Sequence, residues 1–265
     1  MNILNINYRG IMNTYLHILV YFNLLFSMTG VELAKKMKDR PKPVDTQSNS
    51  SMILTNKKGK EKNLLLISKS KDDSKKQMIW FLKPKDDYGI SFLKIEQEDG
   101  DDFMNMWLPA FKKFRRISSQ KKSDSFMGSD LSFEDMTNRE LDDYTYKILN
   151  NDSPCFKDDN SQKCFVLEST PNDDDSEYSK HISWVDKVNY LSFKEESYDK
   201  DEKLLKTKII KYSLIEDYLI MDELFVENIQ KNHSTLLKVS DIKINLGFSD
   251  DIFHTKTIKR MPLID

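Results

Sequence analysis

Residues 77–83 read Gln-Met-Ile-Trp-Phe-Leu-Lys and residues 103–108 read Phe-Met-Asn-Met-Trp-Leu. In the first run Met78, Trp80 and Leu82 share one face of an extended chain. In the second, Phe103, Asn105 and Trp107 alternate with Met104, Met106 and Leu108. A repeat of two residues is the signature of β-strands. Outward from these runs the pattern recurs at Met52–Asn56, Asn63–Lys69 and Tyr88–Glu96. Turn-prone links separate the segments, among them Asn56-Lys57-Lys58-Gly59, Lys71-Asp72-Asp73-Ser74 and Lys85-Asp86-Asp87. Such short, regular intervals describe a meander of antiparallel strands.

Further strands are expected at Thr145–Leu149, Cys164–Thr170, Lys180–Val185, Tyr190–Tyr198, Leu204–Ile215, Tyr218–Ile229 and Leu236–Leu246. The last changes phase between Val239 and Ile242, so a β-bulge near Ser240–Asp241 is expected to bend the sheet there. Several runs, such as Asn63-Leu64-Leu65-Leu66-Ile67, are apolar on both faces. That fits a strongly curved sheet whose concave face meets a helix or a lipid; a plain two-layer β-sandwich is the alternative. Residues 31–40 read as a short amphipathic helix with Leu33, Ala34 and Met37 on one side, stopped by Pro41 and Pro43. The polar run Asp45-Thr46-Gln47-Ser48-Asn49-Ser50-Ser51 reads as a linker. Residues 117–143 read as loop and short helix, with Ser132 and Asp135 spaced as a capping pair.

The 265 residues suit one large all-β domain or two small ones. An aromatic share of 11% is enough to fill a core although 32% of residues are charged, which argues against wholesale disorder. A net charge of −2 without a concentrated basic face argues against nucleic acid as a partner.

In the first thirty residues Arg9 is the sole charge, and Tyr15–Met28 is an apolar run broken only by His17, Asn23 and Ser27. Thr29 and Gly30 follow, then the charged stretch from Val31. This is the layout of a secretory signal over residues 1–30 with cleavage near Gly30; an uncleaved anchor is the alternative. Cys155 and Cys164 are the two cysteines. In an oxidising compartment they could close a ten-residue ring, or they stay as free thiols.

Catalytic signatures are missing. His181, His233 and His254 lack metal-ligand spacing, there is no nucleophile turn or phosphate-cradling glycine loop, and Asp173-Asp174-Asp175 lacks the spaced ligands of a calcium loop. Neither an enzymatic role nor a metal or other cofactor is expected.

Residues 107–136 read WLPAFKKFRRISSQKKSDSFMGSDLSFEDM. Two pieces stand out: Trp107-Leu108-Pro109 leading into Lys113 and Arg115-Arg116-Ile117, then Phe126-Met127-Gly128-Ser129-Asp130 followed by Phe133-Glu134-Asp135. With Ala34-Lys35-Lys36-Met37 and the Met52-Ile53-Leu54 strand, this pattern resembles the outer-membrane lipoprotein-sorting (LolA-like) family across residues 31–265. The resemblance implies a mainly β fold: an antiparallel sheet rolled into a half-open barrel around an apolar hollow, with short covering helices. It also implies a periplasmic carrier that takes the acyl chains of lipoproteins or lipids toward the outer membrane. An inner-membrane transporter and an outer-membrane acceptor would be its partners. An accessory lipid-binding subunit of an exporter of the resistance-nodulation-division type, and a solid docking module, are the alternatives.

On this basis Trp80, Phe92, Met104, Trp107, Phe126, Met127, Phe133 and Trp184 are candidates for the barrel interior and its lid. Lys112, Lys113, Arg115 and Arg116 are candidates for a docking rim toward anionic headgroups or an acidic partner. The same cations would also serve an ordinary edge strand that resists aggregation. The Phe126–Met136 stretch would be either a mobile lid or a static plug.

Overall fold

The computed structural model describes residues 28–262 except 99 and 158. The apolar run read as a secretory signal lies, up to residue 27, outside the described residues. Among the described residues, thirteen strands follow one α-helix. They are β1 (Asp45–Thr55), β2 (Glu61–Lys71), β3 (Lys76–Lys83), β4 (Ser91–Ile95), β5 (Phe103–Leu108), β6 (Lys113–Ile117), β7 (Tyr144–Phe156), β8 (Asp159–Pro171), β9 (Lys180–Asp186), β10 (Ser192–Tyr198), β11 (Leu204–Ile215), β12 (Tyr218–Asn228) and β13 (His233–Ile244).

All thirteen form one curled, unclosed antiparallel sheet in the order β6-β5-β4-β3-β2-β1-β13-β12-β11-β10-β9-β8-β7. Each hairpin pairs with its sequence neighbour, and the pairing of β1 with β13 joins the two halves at the centre. The open edges are therefore β6 and β7. The segment that connects them, residues 118–143, crosses the concave face instead of passing around the rim. This connection is the plug.

The helix α1 (Gly30–Lys38) starts one residue before the position expected. Thr29 caps it: the Glu32 amide donates to Thr29 Oγ1 at 3.2 Å, and the Thr29 amide donates to Glu32 Oε2 at 2.8 Å. Reciprocal satisfaction of otherwise orphaned amides fixes where a helix begins. Gly30 sits so close to β7 that a Cβ there would lie 2.6 Å from the Tyr146 carbonyl carbon, so only glycine fits. Leu33 and Ala34 pack on Leu167 and Val185, which anchors the helix over the β7–β9 end of the sheet. Thr29 and Gly30, assigned to the leader in the sequence, thus have structural work within the folded unit.

Residues 45–51 are not a linker but the first half of β1. They pair with β2 on one side and β13 on the other. Their polarity has local causes. Asp45 is buried and accepts the amides of Leu246, Gly247 and Phe248 at 2.7, 2.8 and 2.8 Å, turning the chain as it leaves β13. The bulge expected near Ser240 is present: Asn49 opposes Ser240 and Gln47 opposes Lys243, which leaves one extra residue in β13, and Asp241 has φ 51°.

The doubly apolar strands are explained by cover on both faces. On the concave face, Met52, Leu54, Leu64, Leu66, Ile79 and Phe81 pack beneath Phe126 and Phe133 of the plug. On the convex face, Ile67, Met78, Trp80 and Leu93 lie beneath Phe253 and Ile258 of the chain that follows β13. Cys155 and Cys164 are disulfide-bonded and staple the β7–β8 hairpin beside the Ser153–Cys164 pair. Closing a ten-residue ring restricts the unfolded chain by about 2–3 kcal/mol. Reduction, or replacement of both by serine, is expected to lower the urea midpoint accordingly; an unchanged midpoint would show that the bond does not stabilise the fold.

Candidate functional site

The plug does not fill the concave face. Between it and strands β1–β3, β12 and β13 lies a hollow of about 360 Å³. Phe126, Leu131 and Met136 form its plug side, and Met52, Leu66, Ile79, Met221 and Leu237 lie on the sheet side. Toward the start of β1 the lining turns to hydroxyls, and Arg40, Lys42 and Lys71 stand at that end. The volume is near the lower end of the roughly 300–1,000 Å³ usual for small-molecule sites.

The plug is a tight loop. Gly128 has φ 82° and Met127 φ 54°, and Ser125 bridges Ser132 to close the turn between them. Phe126 meets Phe81, Phe92 and Phe133 with ring centroids 5.9, 5.3 and 5.7 Å apart. Ser132 and Asp135 cap one another as their spacing predicts: the Ser132 amide donates to Asp135 Oδ2 at 2.9 Å and the Asp135 amide donates to Ser132 Oγ at 3.2 Å.

Beyond the apolar part, the plug is fastened to the floor by ions. Asp135, 1% exposed, accepts from Lys208 at 2.7 Å and from Lys206 at 3.0 Å, both on β11. Lys208 also reaches Glu195 on β10 at 3.0 Å. Arg139, at the far end of the plug, grips Glu195 with two bonds of 2.6 and 2.9 Å. Two strands from Lys208, Asp130 accepts from Thr235 Oγ1 of β13 at 2.7 Å, and on β4 Lys94 donates to the Met136 carbonyl and to Glu96 at 2.6 Å each.

Burial by itself would raise the Asp135 carboxyl, but Lys208 and Lys206 outweigh it and hold the group far below the usual carboxylate range. Glu195 follows the same logic, with Arg139 and Lys208 outweighing burial. His181, fully buried beside Arg139 and Glu195, is pushed down by burial first and then by Arg139, so it stays neutral. Its Nε2 is buried without a hydrogen-bond partner. Burial also lowers the Lys94 ammonium, against the pull of Glu96.

A wider cleft of about 700 Å³ opens between the turn that joins β4 to β5 and the chain around the start of β7 and the end of β8. Glu96, Glu98, Asp102, Glu140, Asp142 and Asp173 are among its lining residues. Among the described residues, no group of His, Cys, Asp and Glu is arranged to hold a metal ion, and no helix is long and apolar enough to cross a membrane.

Comparison with known proteins places this geometry. The crystal structure of an outer membrane lipoprotein-sorting protein domain from Vibrio parahaemolyticus is 33% identical, covers 87% of this chain and 98% of its own, and superposes with a TM-score of 0.81. The chain belongs to the outer-membrane lipoprotein-sorting (LolA-like) family. A DUF1329 family protein from Desulfovibrio piger is 28% identical over 86% of this chain and 97% of its own, with a TM-score of 0.79. A LolA superfamily protein from Nitrosomonas europaea, 20% identical over 87% of this chain and 99% of its own, shares the fold with a TM-score of 0.69. A family model described as "Uncharacterized protein"-like matches residues 73–260. No curated protein matches the chain.

Within this LolA-like half-barrel, the residues nominated from sequence separate into three places. Phe92, Met104, Phe126 and Phe133 are on the concave face in one cluster, with Met127 packed against it, and Phe126 borders the hollow. Trp80 and Trp107 are on the convex face. Trp80 Nε1 donates to the Arg260 carbonyl at 2.8 Å, and Trp107 packs on Phe114 beneath Lys259. Trp184 alternates with the inward His181 and Ser183, and its ring lies 4.0 Å from Lys194 Nζ. The tryptophans therefore stand outside the hollow. A strand's period tells which side chains share a face, but not which face is concave.

Lys112, Lys113, Arg115 and Arg116 are exposed on and just before the edge strand β6, and Arg115 pairs with Asp124 of the plug at 2.8 Å. The hydroxyl side of the hollow and the buried ion pairs are not evident in the sequence. Serine in a polar run resembles any loop, and the partners Asp135, Lys206, Lys208 and Glu195 are far apart in the chain. An inward phase for Lys206 and Lys208 on a strand was the one available signal.

Proposed function

We propose that this LolA-like protein is a periplasmic carrier that shelters acyl chains of a lipoprotein or lipid and passes them toward the outer membrane. The observation that carries this reading is the unfilled hollow beneath an aromatic plug, in a fold whose relative from Vibrio parahaemolyticus is described as lipoprotein-sorting. Transfer of hydrocarbon from water yields about 0.8 kcal/mol per CH₂, so one chain supplies ample driving force without catalytic groups. Release needs competition for that surface. Phe126, Leu131 and Met136 provide it, because they return to the hollow when cargo leaves. A solid docking module has no use for such a space, whereas an exporter accessory subunit would use it in the same way and differ only in its partners.

The edge strand β6 supports a docking role for Lys112, Lys113, Arg115 and Arg116. Near an anionic surface each cation contributes about 1 kcal/mol. An anionic group arriving at Arg115 would compete with Asp124, and so with one attachment of the plug.

Protein purified without detergent is expected to carry acyl lipid detectable by extraction and mass spectrometry, and stripped protein is expected to bind a fluorescent fatty acid. Absence of both lipid and binding would end the carrier reading.

A further inference from the structure

The hollow is graded from one end to the other, and the register of the central strands shows how. Going along β1, the side chains that face inward are Thr46, Ser48, Ser50 and Met52. Thr46 opposes Ser70 of β2, with 2.7 Å between their hydroxyls, and Ser70 opposes Gln77 of β3. One rung further, Ser48 opposes Ser68, which opposes Ile79. Next, Ser50 lies between Leu66 and Val239, and then Met52 lies between Leu64 and Leu237. Three hydroxyl rungs thus give way to hydrocarbon under the plug residues Phe126 and Leu131.

Thr46 and Ser70 satisfy one another, but among the described residues the hydroxyls of Ser48, Ser50 and Ser68 have no hydrogen-bond partner, and a space meant for hydrocarbon alone has no need of them, because a hydroxyl lost from water without a partner is unfavourable. A ligand with a polar end supplies the partners.

The cations at the hydroxyl end are not equivalent. Lys42 pairs with Asp73, and Lys71 pairs with Asp250 at 2.7 Å. Arg40 donates its Nε to the Met37 carbonyl at 3.1 Å, and among the described residues no carboxylate lies within 4.0 Å of its guanidinium. Burial lowers its pKa, against the pull of Tyr212 and Asp73. A half-buried guanidinium without a close anion is unusual unless an anion arrives, since its fork is suited to carboxylate and phosphate oxygens.

We propose that the hollow takes a single-chain amphiphile with an anionic headgroup, its tail toward Phe126 and Leu131 and its charge at Arg40. This rests on the carrier reading and specifies its ligand. The modest volume favours one chain over several, and the hydroxyls of Ser48, Ser68 and Ser70 are placed for ester or glycerol oxygens between tail and charge.

The test is calorimetric titration of delipidated protein with four ligands below their micelle concentrations: palmitate, lysophosphatidylglycerol, lysophosphatidylcholine and a monoacylglycerol. At least one of the two anionic ligands is expected to bind about tenfold tighter than the monoacylglycerol, as a charge-assisted bond requires. Which of the two binds tighter distinguishes a carboxylate source from a phosphodiester one. Arg40→Gln is expected to remove that preference by weakening the anionic ligands about tenfold more than the monoacylglycerol, and Arg40→Lys to restore part of it, with unfolding midpoints checked for both. Equal binding of charged and neutral ligands, or an Arg40→Gln protein that keeps the preference, overturns the headgroup assignment while the carrier reading stands. No binding of any of the four overturns both.

Discussion

Asp135→Ala is expected to destabilise the protein by about 3 kcal/mol, because it removes the shared carboxylate of two buried ammonium groups and leaves each with a single carboxylate, Glu177 for Lys206 and Glu195 for Lys208. Lys206 and Lys208 are 5% and 9% exposed in their side chains, so water cannot readily replace the carboxylate. The loss should be readable as a lowered urea midpoint with little change in slope. Asp135→Ala combined with Lys206→Met and Lys208→Met is expected to recover much of it, since well-packed apolar groups often equal a buried ion pair. A single-variant loss under about 1 kcal/mol would show that the Asp135 pairs add little and that the plug is held by its aromatic residues and its other attachments, such as Arg139 to Glu195.

The same groups set the acid limit of stability. The folded pKa values of Asp135, Glu195 and His181 are all depressed, so at acid pH the unfolded chain takes up protons that the folded chain refuses. Stability should therefore fall as pH drops, beginning near pH 6.5 through His181 and steepening below about pH 4 through the carboxylates.

Phe126→Ala is the second large effect, with an expected cost of about 3–5 kcal/mol from lost burial and the void left behind. Phe126 is 1% exposed and touches three other phenylalanines, so its neighbours cannot collapse freely into its place. It also borders the hollow, so the same change should enlarge the ligand space. Reduced stability together with increased retention of co-purified lipid is the expected pair of results. Reduced stability with unchanged lipid content would make the ring a structural filler only. Met127→Ala serves as the control, being packed against the same cluster without bordering the hollow.

Much of the sheet was legible because strand patterning is local. The Met78–Leu82 and Phe103–Leu108 alternations and the phase change at Ser240–Asp241 each depend on residues a few positions apart. The capping of Asp135 by Ser132 is local in the same sense. The first half of β1 was not legible, since Thr46, Ser48 and Ser50 face a polar space that exists only after β2, β3 and β13 have assembled around it.

The chain's own pattern determined an antiparallel meander, its bulge and the capping within the plug segment, because the forces behind these act between near neighbours, while the resemblance of its motif residues pointed to the family. Tertiary structure alone decided which face became concave, and with it the fate of Trp80, Trp107 and Trp184. It also decided that Asp135 and Glu195 would meet Lys206, Lys208 and Arg139 out of water, and that Arg40 would stand without a close anion beside the hydroxyl rungs. Curvature and burial are properties of the assembled sheet: they depend on partners brought together from distant parts of the chain.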